Sequence, residues 1–406
     1  MTSGLRRRPR IAYLTSSDPL DRRSWSGIHH FMSKALEKHC GEVCHLGPMD
    51  PRVRRLLRAF AVNVKRITGR AYNPLHSLLL AKSYARIVER RLAAEMYDLL
   101  FAPAGSTEIA LLRTNLPIVY FSDTTFALLH NYYPAFSHLL PVSVWEGNMV
   151  ERLAIATARA AVFATEWAAE SARRDYGTPT DKIRVVPFGA NLEDVPTRDD
   201  ALRKRQSAGC RLLFLGADWA RKGGDIAFET LLELERRGVM AELVVCGCHP
   251  PAALEHPRLT VIPFLHKSDP DHRARLTGLL SWADFLLLPT RAECSGIVFC
   301  EASAFGTPVI TTDTGGVSCV VKNGQNGILL SAAARGSEYA ERILELRNDE
   351  GRYPELVRGS RAAFEERLNW DAWGEQLASV IAEVCAQPAH SSSYRGSRTP
   401  HAPTLD

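Results

Sequence analysis

The sequence predicts an α/β protein built from two doubly wound, Rossmann-like domains that face each other across a cleft. Short apolar runs alternate with longer amphipathic stretches, which is the pattern of βα units that form parallel sheets with helices on both faces. With 406 residues, of which 46% are hydrophobic, the chain also exceeds what one hydrophobic core usually serves. We therefore expect two cores, each with its own sheet.

Two series of candidate strands divide the chain. The first series contains six apolar runs, which begin at Ile11, Val43, Leu99, Ile118, Ala161 and Ile183. The second series also contains six, which begin at Leu212, Leu243, Leu259, Phe285, Val309 and Gly327. Sheets of this kind bind ligands at the carboxyl ends of their strands, so the loops that follow these runs are the expected location of functional residues.

Composition sets the expected domain boundaries. Residues 1–195 form the N-terminal domain, the polar stretch 196–209 the linker, and residues 210–365 the C-terminal domain. Residues 366–387 have the pattern of an amphipathic terminal helix. The tail 388–406 is rich in Ser, Pro and His, a composition typical of disorder.

Charge and cysteine content narrow the class of protein. The formal net charge of +5 is spread over 50 basic and 45 acidic residues, which is too weak and too mixed to indicate nucleic acid as a partner. The nine cysteines are scattered without zinc-site spacing and favour free thiols in a reducing compartment. No run reaches the roughly eighteen apolar residues of a membrane span. We expect a cytoplasmic protein, soluble or peripheral on the membrane face, that binds no metal and no cofactor.

The segment after the run at Phe285 is the most informative one. The run ends in a turn of small residues, and a helix is predicted from Ile297 to Phe305. The first N–H groups of a helix have no partner within it, so those near Gly296, Ile297 and Val298 are free to bind a diphosphate.

Two carboxylates flank this predicted anion site. Glu293 precedes the helix and Glu301 lies about one turn inside it, and eight residues of helix span about 12 Å. A glycoside hydrolase holds its two carboxylates only about 5 to 9 Å apart across one bond, so it is a poorer match. The spacing indicates one Glu for a sugar and one for a ribose at opposite ends of a ligand.

This part of the chain resembles the retaining glycosyltransferases of family 4, which carry a Glu-x7-Glu motif, a small-residue helix and a strand that ends in Gly-Gly. The corresponding segments are Glu293–Glu301, 302–308 and 309–316, followed by the Asn-Gly-rich turn at 323–327. The resemblance runs in order from 212 to about 330. It implies the two-domain arrangement named GT-B, in which the terminal helix 366–387 packs back on the N-terminal domain. It also implies a hexosyltransferase-type reaction with a UDP- or GDP-linked sugar donor.

The resemblance also implies roles for individual residues. Glu293 contacts a hydroxyl of the donor sugar, and Glu301 binds the ribose. Gly296, Ile297 and Val298 offer backbone groups to the sugar and the phosphates.

Two cations follow the run at Leu212. Arg221 and Lys222 are placed to stabilise the charge that develops on a leaving diphosphate, without a metal. Lys222 matches the family's phosphate-binding lysine. Related enzymes usually carry an Arg five or six positions earlier, where this chain has Gly216 and Ala217. Either Arg221 substitutes for that Arg or the phosphate is held more weakly.

Two N-terminal segments complete the expected site. Gly27 lets the backbone approach a ligand closely and matches the family's donor-facing loop. Asp123 ends the run at Ile118, where it can orient or deprotonate an acceptor hydroxyl. Capping of a helix is an equally good interpretation of Asp123. Many family members have a His where Ser122 aligns.

Residues 51–70 carry seven cations interleaved with apolar residues at helical spacing. This pattern is typical of a helix on a membrane surface or over a lipid-linked acceptor. It is equally typical of a helix of the N-terminal domain with solvated arginines.

The leading hypothesis is a retaining, metal-independent glycosyltransferase that moves a sugar from a nucleotide diphosphate to a glycan or lipid-linked acceptor, in polysaccharide, lipopolysaccharide or glycolipid assembly. Its candidate catalytic residues are Glu293, Lys222 and Asp123. Two alternatives stay open: a nucleotide-sugar epimerase of the same architecture, and a non-catalytic nucleotide-sugar-binding protein.

Overall fold

The computed structural model describes residues 7–204 and 206–386, so the tail 388–406 lies outside the described residues. Its core consists of two six-stranded sheets in which every pairing of strands is parallel. All twelve predicted apolar runs lie in these strands. The predicted α/β fold with two Rossmann-like sheets is confirmed.

The N-terminal sheet has the order β2-β1-β3-β4-β5-β6. Its strands are β1 (Arg10–Tyr13), β2 (Glu42–His45), β3 (Leu99–Pro103), β4 (Ile118–Ser122), β5 (Ala160–Phe163) and β6 (Ile183–Val185). Its helices are α1 (Ile28–His39), α2 (Arg52–Thr68), α3 (Leu78–Leu92), α4 (Ser106–Ile109), α5 (Phe126–Leu129), α6 (Pro141–Thr157) and α7 (Glu166–Tyr176).

The C-terminal sheet has the order β12-β11-β10-β7-β8-β9. Its strands are β7 (Cys210–Leu215), β8 (Ala241–Cys246), β9 (Leu259–Ile262), β10 (Phe285–Leu288), β11 (Val309–Thr312) and β12 (Gly327–Leu330). The remaining helices are α8 (Arg198–Leu202), α9 (Gly224–Arg236), α10 (Pro270–Trp282), α11 (Ile297–Ala304), α12 (Val317–Val320), α13 (Gly336–Asn348), α14 (Arg352–Glu366) and α15 (Trp370–Ala386).

The strand order of the C-terminal sheet fixes where its ligand site lies. The chain leaves β7 toward one edge and returns through β10 on the other side of β7, so the loops after these two neighbouring strands diverge. A crevice opens between such loops at the carboxyl ends of the strands. Both motif-bearing loops of the sequence follow β7 and β10.

Burial on both faces explains why the strands were recognisable. Every residue of β4 and of β10 is buried. A parallel sheet covered by helices on both faces selects continuous apolar runs rather than alternating ones. The edge strand β2 has no fully buried residue and is correspondingly more polar.

Helix α15 returns to the N-terminal domain and completes its core. It packs along α1, and Trp373 is fully buried. The Trp373 ring lies 6.2 Å from that of Phe101 and 5.7 Å from that of Phe121, both edge to face. The C-terminal segment is therefore part of the first domain's structure.

The chain crosses between the domains at two adjoining points. Phe188 and Trp370 belong to the core of the N-terminal domain, whereas Ala190 and Leu368 belong to that of the C-terminal domain. The Ala190 N–H donates to the Leu368 carbonyl at 3.0 Å. The two crossings between the domains therefore lie side by side.

The expected linker 196–209 is not where the crossing occurs. It contains α8, whose Ala201 is buried and which packs on α14. Arg361 donates to the carbonyls of Pro196, at 3.0 Å, and Ala304, at 2.6 Å. The polar composition of 196–209 therefore reflects an exposed segment that packs on the second domain.

Replacement of Trp373 by Ala should destabilise the protein by about 3 to 5 kcal/mol, because a large aromatic side chain leaves a cavity in the core. Trp145→Ala is the matched control, since Trp145 is 55% exposed and such a change usually costs within about 0.5 kcal/mol. Chemical denaturation followed by circular dichroism measures both. Equal stabilities would show that α15 is not integral to the first domain.

Candidate functional site

A cavity of about 560 Å³ lies in the cleft and takes its walls from both domains. This volume is within the usual range for small-molecule sites. Eight of the nine predicted site residues line it: Asp123, Arg221, Lys222, Glu293, Gly296, Ile297, Val298 and Glu301. Gly27 is the exception, because its neighbours Ser26 and Ile28 form the wall while Gly27 lies one residue behind.

The N-terminus of α11 forms the floor of the cavity. Gly296 precedes the helix with a φ of 86°, and a Cβ there would lie 2.5 Å from the Phe299 ring. Only Gly fits this turn. Ile297 and Val298 open the helix, so their N–H groups have no carbonyl within it to bond and lie at the positive end of the helix dipole. This arrangement suits an anion.

Glu293 and Lys222 form a buried ion pair beside this helix start. Both residues are 9% exposed, and the Lys222 ammonium contacts the Glu293 carboxylate directly. The Arg221 guanidinium lies 3.8 Å from the same carboxylate. Two cations thus contact one carboxylate at this end of the cavity.

Arg221 is held in place by three other groups. It donates to the carbonyl of Ala292 at 2.9 Å and pairs with Asp218 at 3.6 Å. Its guanidinium also lies 5.3 Å from the centre of the Tyr133 ring. A fixed guanidinium is thereby present beside Glu293.

Gly216 has a packing reason to lack a side chain. A Cβ at this position would lie 2.9 Å from Cγ of Lys222. The stem of Lys222 therefore occupies the space beside Gly216. Gly216 is one of the two positions at which related enzymes are expected to carry an Arg.

Glu301 lies at the other end of the cavity floor. It is 3% exposed and forms an ion pair with Lys267. Burial raises the pKa of the Glu301 carboxyl, and the charge of Lys267 acts against this rise. The backbone N–H of Asn191 also favours the charged form of this carboxyl and so lowers its pKa. A carboxylate held in this way has free acceptor capacity for hydroxyl groups.

Asp123 enters the cavity from the N-terminal domain. Burial is the main cause that raises the pKa of its carboxyl to about 7, and the charge of Glu293 adds to the rise. A hydrogen bond from Trp25 opposes it. Trp25 and the next residue, Ser26, have φ values of 46° and 56°, so this loop is strained where it meets the cavity.

The interpretation of Asp123 as a helix cap is wrong. Helix α5 is capped by Thr125, whose hydroxyl accepts from the Leu128 N–H. Ser122, which stands at the position of the family's His, is buried and donates to the Thr124 carbonyl at 2.7 Å. Ser122 therefore braces the turn that presents Asp123.

Several residues of the site carried no recognisable signal in the sequence. They are Trp25, Tyr132, Tyr133, Phe264 and Lys267. Each lies in a loop outside any motif, and each reaches the site only because the loops of two domains converge. The aromatic residues after β4, at the edge of a cleft, were the one available hint.

Within 7–204 and 206–386, no three His, Cys, Asp or Glu side chains are grouped so that they could hold a metal ion. Across the same residues, none of the helices has both the length and the apolar character needed to span a bilayer.

The two Rossmann-like sheets and the cleft between them define the class as GT-B. Residues 209–349 match the family model described as Glycosyl transferases group 1, and residues 30–194 match that described as Glycosyltransferase Family 4. The two matches do not overlap, and together they span most of the chain. The chain therefore belongs to the family 4 glycosyltransferases.

Among curated proteins, a D-inositol 3-phosphate glycosyltransferase of Xylanimonas cellulosilytica is 32% identical over 257 residues, which cover 60% of this chain and 60% of that protein. The chain aligns with between half and two thirds of the length of such relatives.

Solved structures share the fold at low identity. Sucrose-phosphate synthase from Thermosynechococcus elongatus has a TM-score of 0.65 at 17% identity, covering 94% of this chain and 100% of that one. HepE from Anabaena, in complex with UDP-glucose, has a TM-score of 0.62 at 16% identity, covering 92% and 100%.

Stability should fall with rising pH because of Asp123. Its pKa in the folded protein, about 7, is above the ordinary value of 3.8, so the folded state binds the proton more tightly and loses stability as pH rises between these values. We expect Asp123→Asn to melt at a higher temperature than the wild type above pH 7, with the difference vanishing toward pH 4. A difference that does not change with pH would contradict the assignment.

Proposed function

We propose that the chain is a retaining, metal-independent glycosyltransferase that moves a sugar from a nucleotide diphosphate to an acceptor hydroxyl. One observation supports this most strongly. A helix N-terminus, two cations and two buried carboxylates converge on one cavity in a GT-B cleft. Few ligands other than a nucleotide diphosphate sugar need all of these groups together.

The groups fit the parts of such a donor in order. The α11 N–H groups and the two cations, Lys222 and Arg221, hold the diphosphate. Glu301 accepts hydrogen bonds from the ribose hydroxyls, while Glu293 accepts one from the sugar. Support for a uridine donor comes from the fold neighbour HepE, which was solved with UDP-glucose.

In the transfer step, the bond between the anomeric carbon and the diphosphate oxygen breaks, and a bond from that carbon to the acceptor oxygen forms. Negative charge then accumulates on the diphosphate, where Lys222 and Arg221 stabilise it without needing to move. The acceptor proton passes to Asp123, whose pKa of about 7 suits a general base at neutral pH. Retention of configuration is proposed from family membership.

The surface of helix α2 favours a lipid-linked acceptor. Helix α2 carries six cations and no acid, and Leu57 is its one fully buried residue. Leu56, Phe60 and Ile67 are 71%, 52% and 83% exposed. A cationic helix with an unpacked apolar stripe binds anionic membranes through both features. We therefore propose a peripheral location on the cytoplasmic membrane face and a lipid-linked acceptor, with polysaccharide or glycolipid assembly as the role.

Glu301→Ala should weaken the binding of the matching nucleoside diphosphate about 10- to 100-fold, because it removes charge-assisted hydrogen bonds to the ribose. Calorimetric titration with UDP and with GDP, in a chelating buffer, measures this and identifies the base. Glu341→Ala is the control, since Glu341 is exposed on the same domain. Unchanged affinity in Glu301→Ala would contradict the ribose role, and absence of binding to the wild type would contradict the proposed donor site.

The wild-type protein should sediment with vesicles that contain anionic phospholipid, and this binding should weaken as salt is raised. The double variant with Leu56→Glu and Phe60→Glu should lose most of the binding. Leu232→Glu, a change of a 41% exposed residue in the other domain, should leave it intact. Equal binding of all three proteins would contradict the proposed role of α2 in membrane binding.

A further inference from the structure

Two adjacent tyrosines of the N-terminal domain contact the sugar end of the site in the other domain. Tyr132 and Tyr133 lie in the loop after α5. Both reach the loop between β10 and α11, which carries Glu293. No motif marks them, and the transfer step described above does not use them.

Tyr132 holds the backbone of Glu293. Its hydroxyl accepts the Glu293 N–H at 2.9 Å and lies 3.1 Å from the Thr314 hydroxyl and 3.3 Å from the Glu293 carbonyl. Its ring packs against Trp167 of its own domain, with centroids 5.4 Å apart. The packing of the Tyr132 ring on Trp167 thus holds its hydroxyl against the peptide groups of Glu293.

Two glycines of the C-terminal domain leave space for the Tyr132 hydroxyl. Gly315 has a φ of 56°, and a Cβ there would collide with the Tyr132 hydroxyl and with the Glu293 carbonyl. A Cβ at Gly316 would collide with the Cys294 carbonyl and lie 2.8 Å from the methyl group of Thr165. The Gly-Gly pair therefore clears the space in which the two domains touch.

Tyr133 contacts Arg221, the cation beside Glu293. Its ring lies under the Arg221 guanidinium at 5.3 Å, a geometry that attracts a cation. Its hydroxyl lies 3.4 Å from the sulfur of Cys294, the neighbour of Glu293. One loop of the first domain thus contacts both charged groups proposed to act on the sugar and the diphosphate.

We propose that Tyr132 and Tyr133 are positioning residues that complete the placement of Glu293 and Arg221 through contacts that exist only when the domains are closed. The contacts join different domains, so any separation of the domains breaks them. The ion pairs Lys222–Glu293 and Lys267–Glu301 lie within the C-terminal domain and survive opening. Nucleotide binding and sugar positioning are thereby separated, and the donor bond becomes reactive only in the closed, water-excluding form.

This inference rests on the proposed function and predicts a specific kinetic pattern. Tyr132→Phe removes only the hydroxyl and leaves the Glu293 N–H without its partner, so kcat should fall about tenfold. Tyr133→Leu should lower kcat similarly by removing the ring under Arg221, whereas Tyr133→Phe, which keeps the ring, should be close to the wild type. The KM for the donor and the Kd for the nucleoside diphosphate should stay within about twofold in all three variants, because Glu301, Lys222 and α11 are unchanged and Arg221 keeps its charge and its bond to the Ala292 carbonyl.

Tyr72→Phe is the matched control, since the Tyr72 hydroxyl donates to Glu146 within the N-terminal domain at 2.6 Å. It should not alter kcat. If the fall in kcat is accompanied by comparable losses of donor affinity, measured as KM and Kd, and of melting temperature, the tyrosines only support the fold. That result would overturn the proposal. Unchanged kcat in both Tyr132→Phe and Tyr133→Leu would overturn it too.

Small-angle X-ray scattering tests the same proposal without turnover. With saturating UDP or GDP, the double variant with Tyr132→Phe and Tyr133→Leu should have a larger radius of gyration than the wild type, because the closed form has lost its contacts. Equal radii would contradict the proposal. If the wild type binds no nucleoside diphosphate, the proposed donor site is wrong. The radii of gyration of the wild type and the double variant in plain buffer then still decide whether the tyrosines hold the domains together.

Discussion

The buried ion pair between Glu293 and Lys222 is the interaction on which this end of the cleft depends. It joins the loops after β10 and β7, two neighbouring strands where the order of the sheet reverses. Removing either partner would leave an uncompensated buried charge, which is strongly unfavourable. The constraint extends to the surroundings: Gly216 must stay small beneath Lys222, and Gly223 must stay small against the Pro289 carbonyl.

Asn191, which lies beside the crossing between the domains, joins segments of both domains next to the cleft. Asn191 donates through its side chain to the Ser26 carbonyl at 2.9 Å and accepts the indole N–H of Trp370 at 3.0 Å. Its backbone N–H also lowers the pKa of the Glu301 carboxyl. One residue beside the crossing thus bonds the strained loop of the first domain and the helix that returns, and it lies near the buried carboxylate of the second domain.

The parts of the structure that the sequence predicted are those encoded locally. The strands were recognisable because burial on both faces selects apolar runs, and the α11 site because Gly296 and the Glu-x7-Glu spacing lie within one loop and helix. The crossing point was misplaced, since polarity marks exposure and the crossing at 188–190 is buried. Lys267, Tyr132 and Tyr133 were missed because their roles exist only through contacts between distant loops, which no local pattern records.

The most direct test of the central claim is the rate and stereochemistry of sugar transfer by the wild type and by Lys222→Ala, in a chelating buffer with the nucleotide sugar whose nucleotide binds. We expect transfer with retained anomeric configuration by the wild type. We also expect kcat for Lys222→Ala to fall about 100-fold or more, because a preorganised group that stabilises developing charge is lost. Inverted product, release of an epimerised nucleotide sugar, or an unimpaired Lys222→Ala enzyme would contradict it.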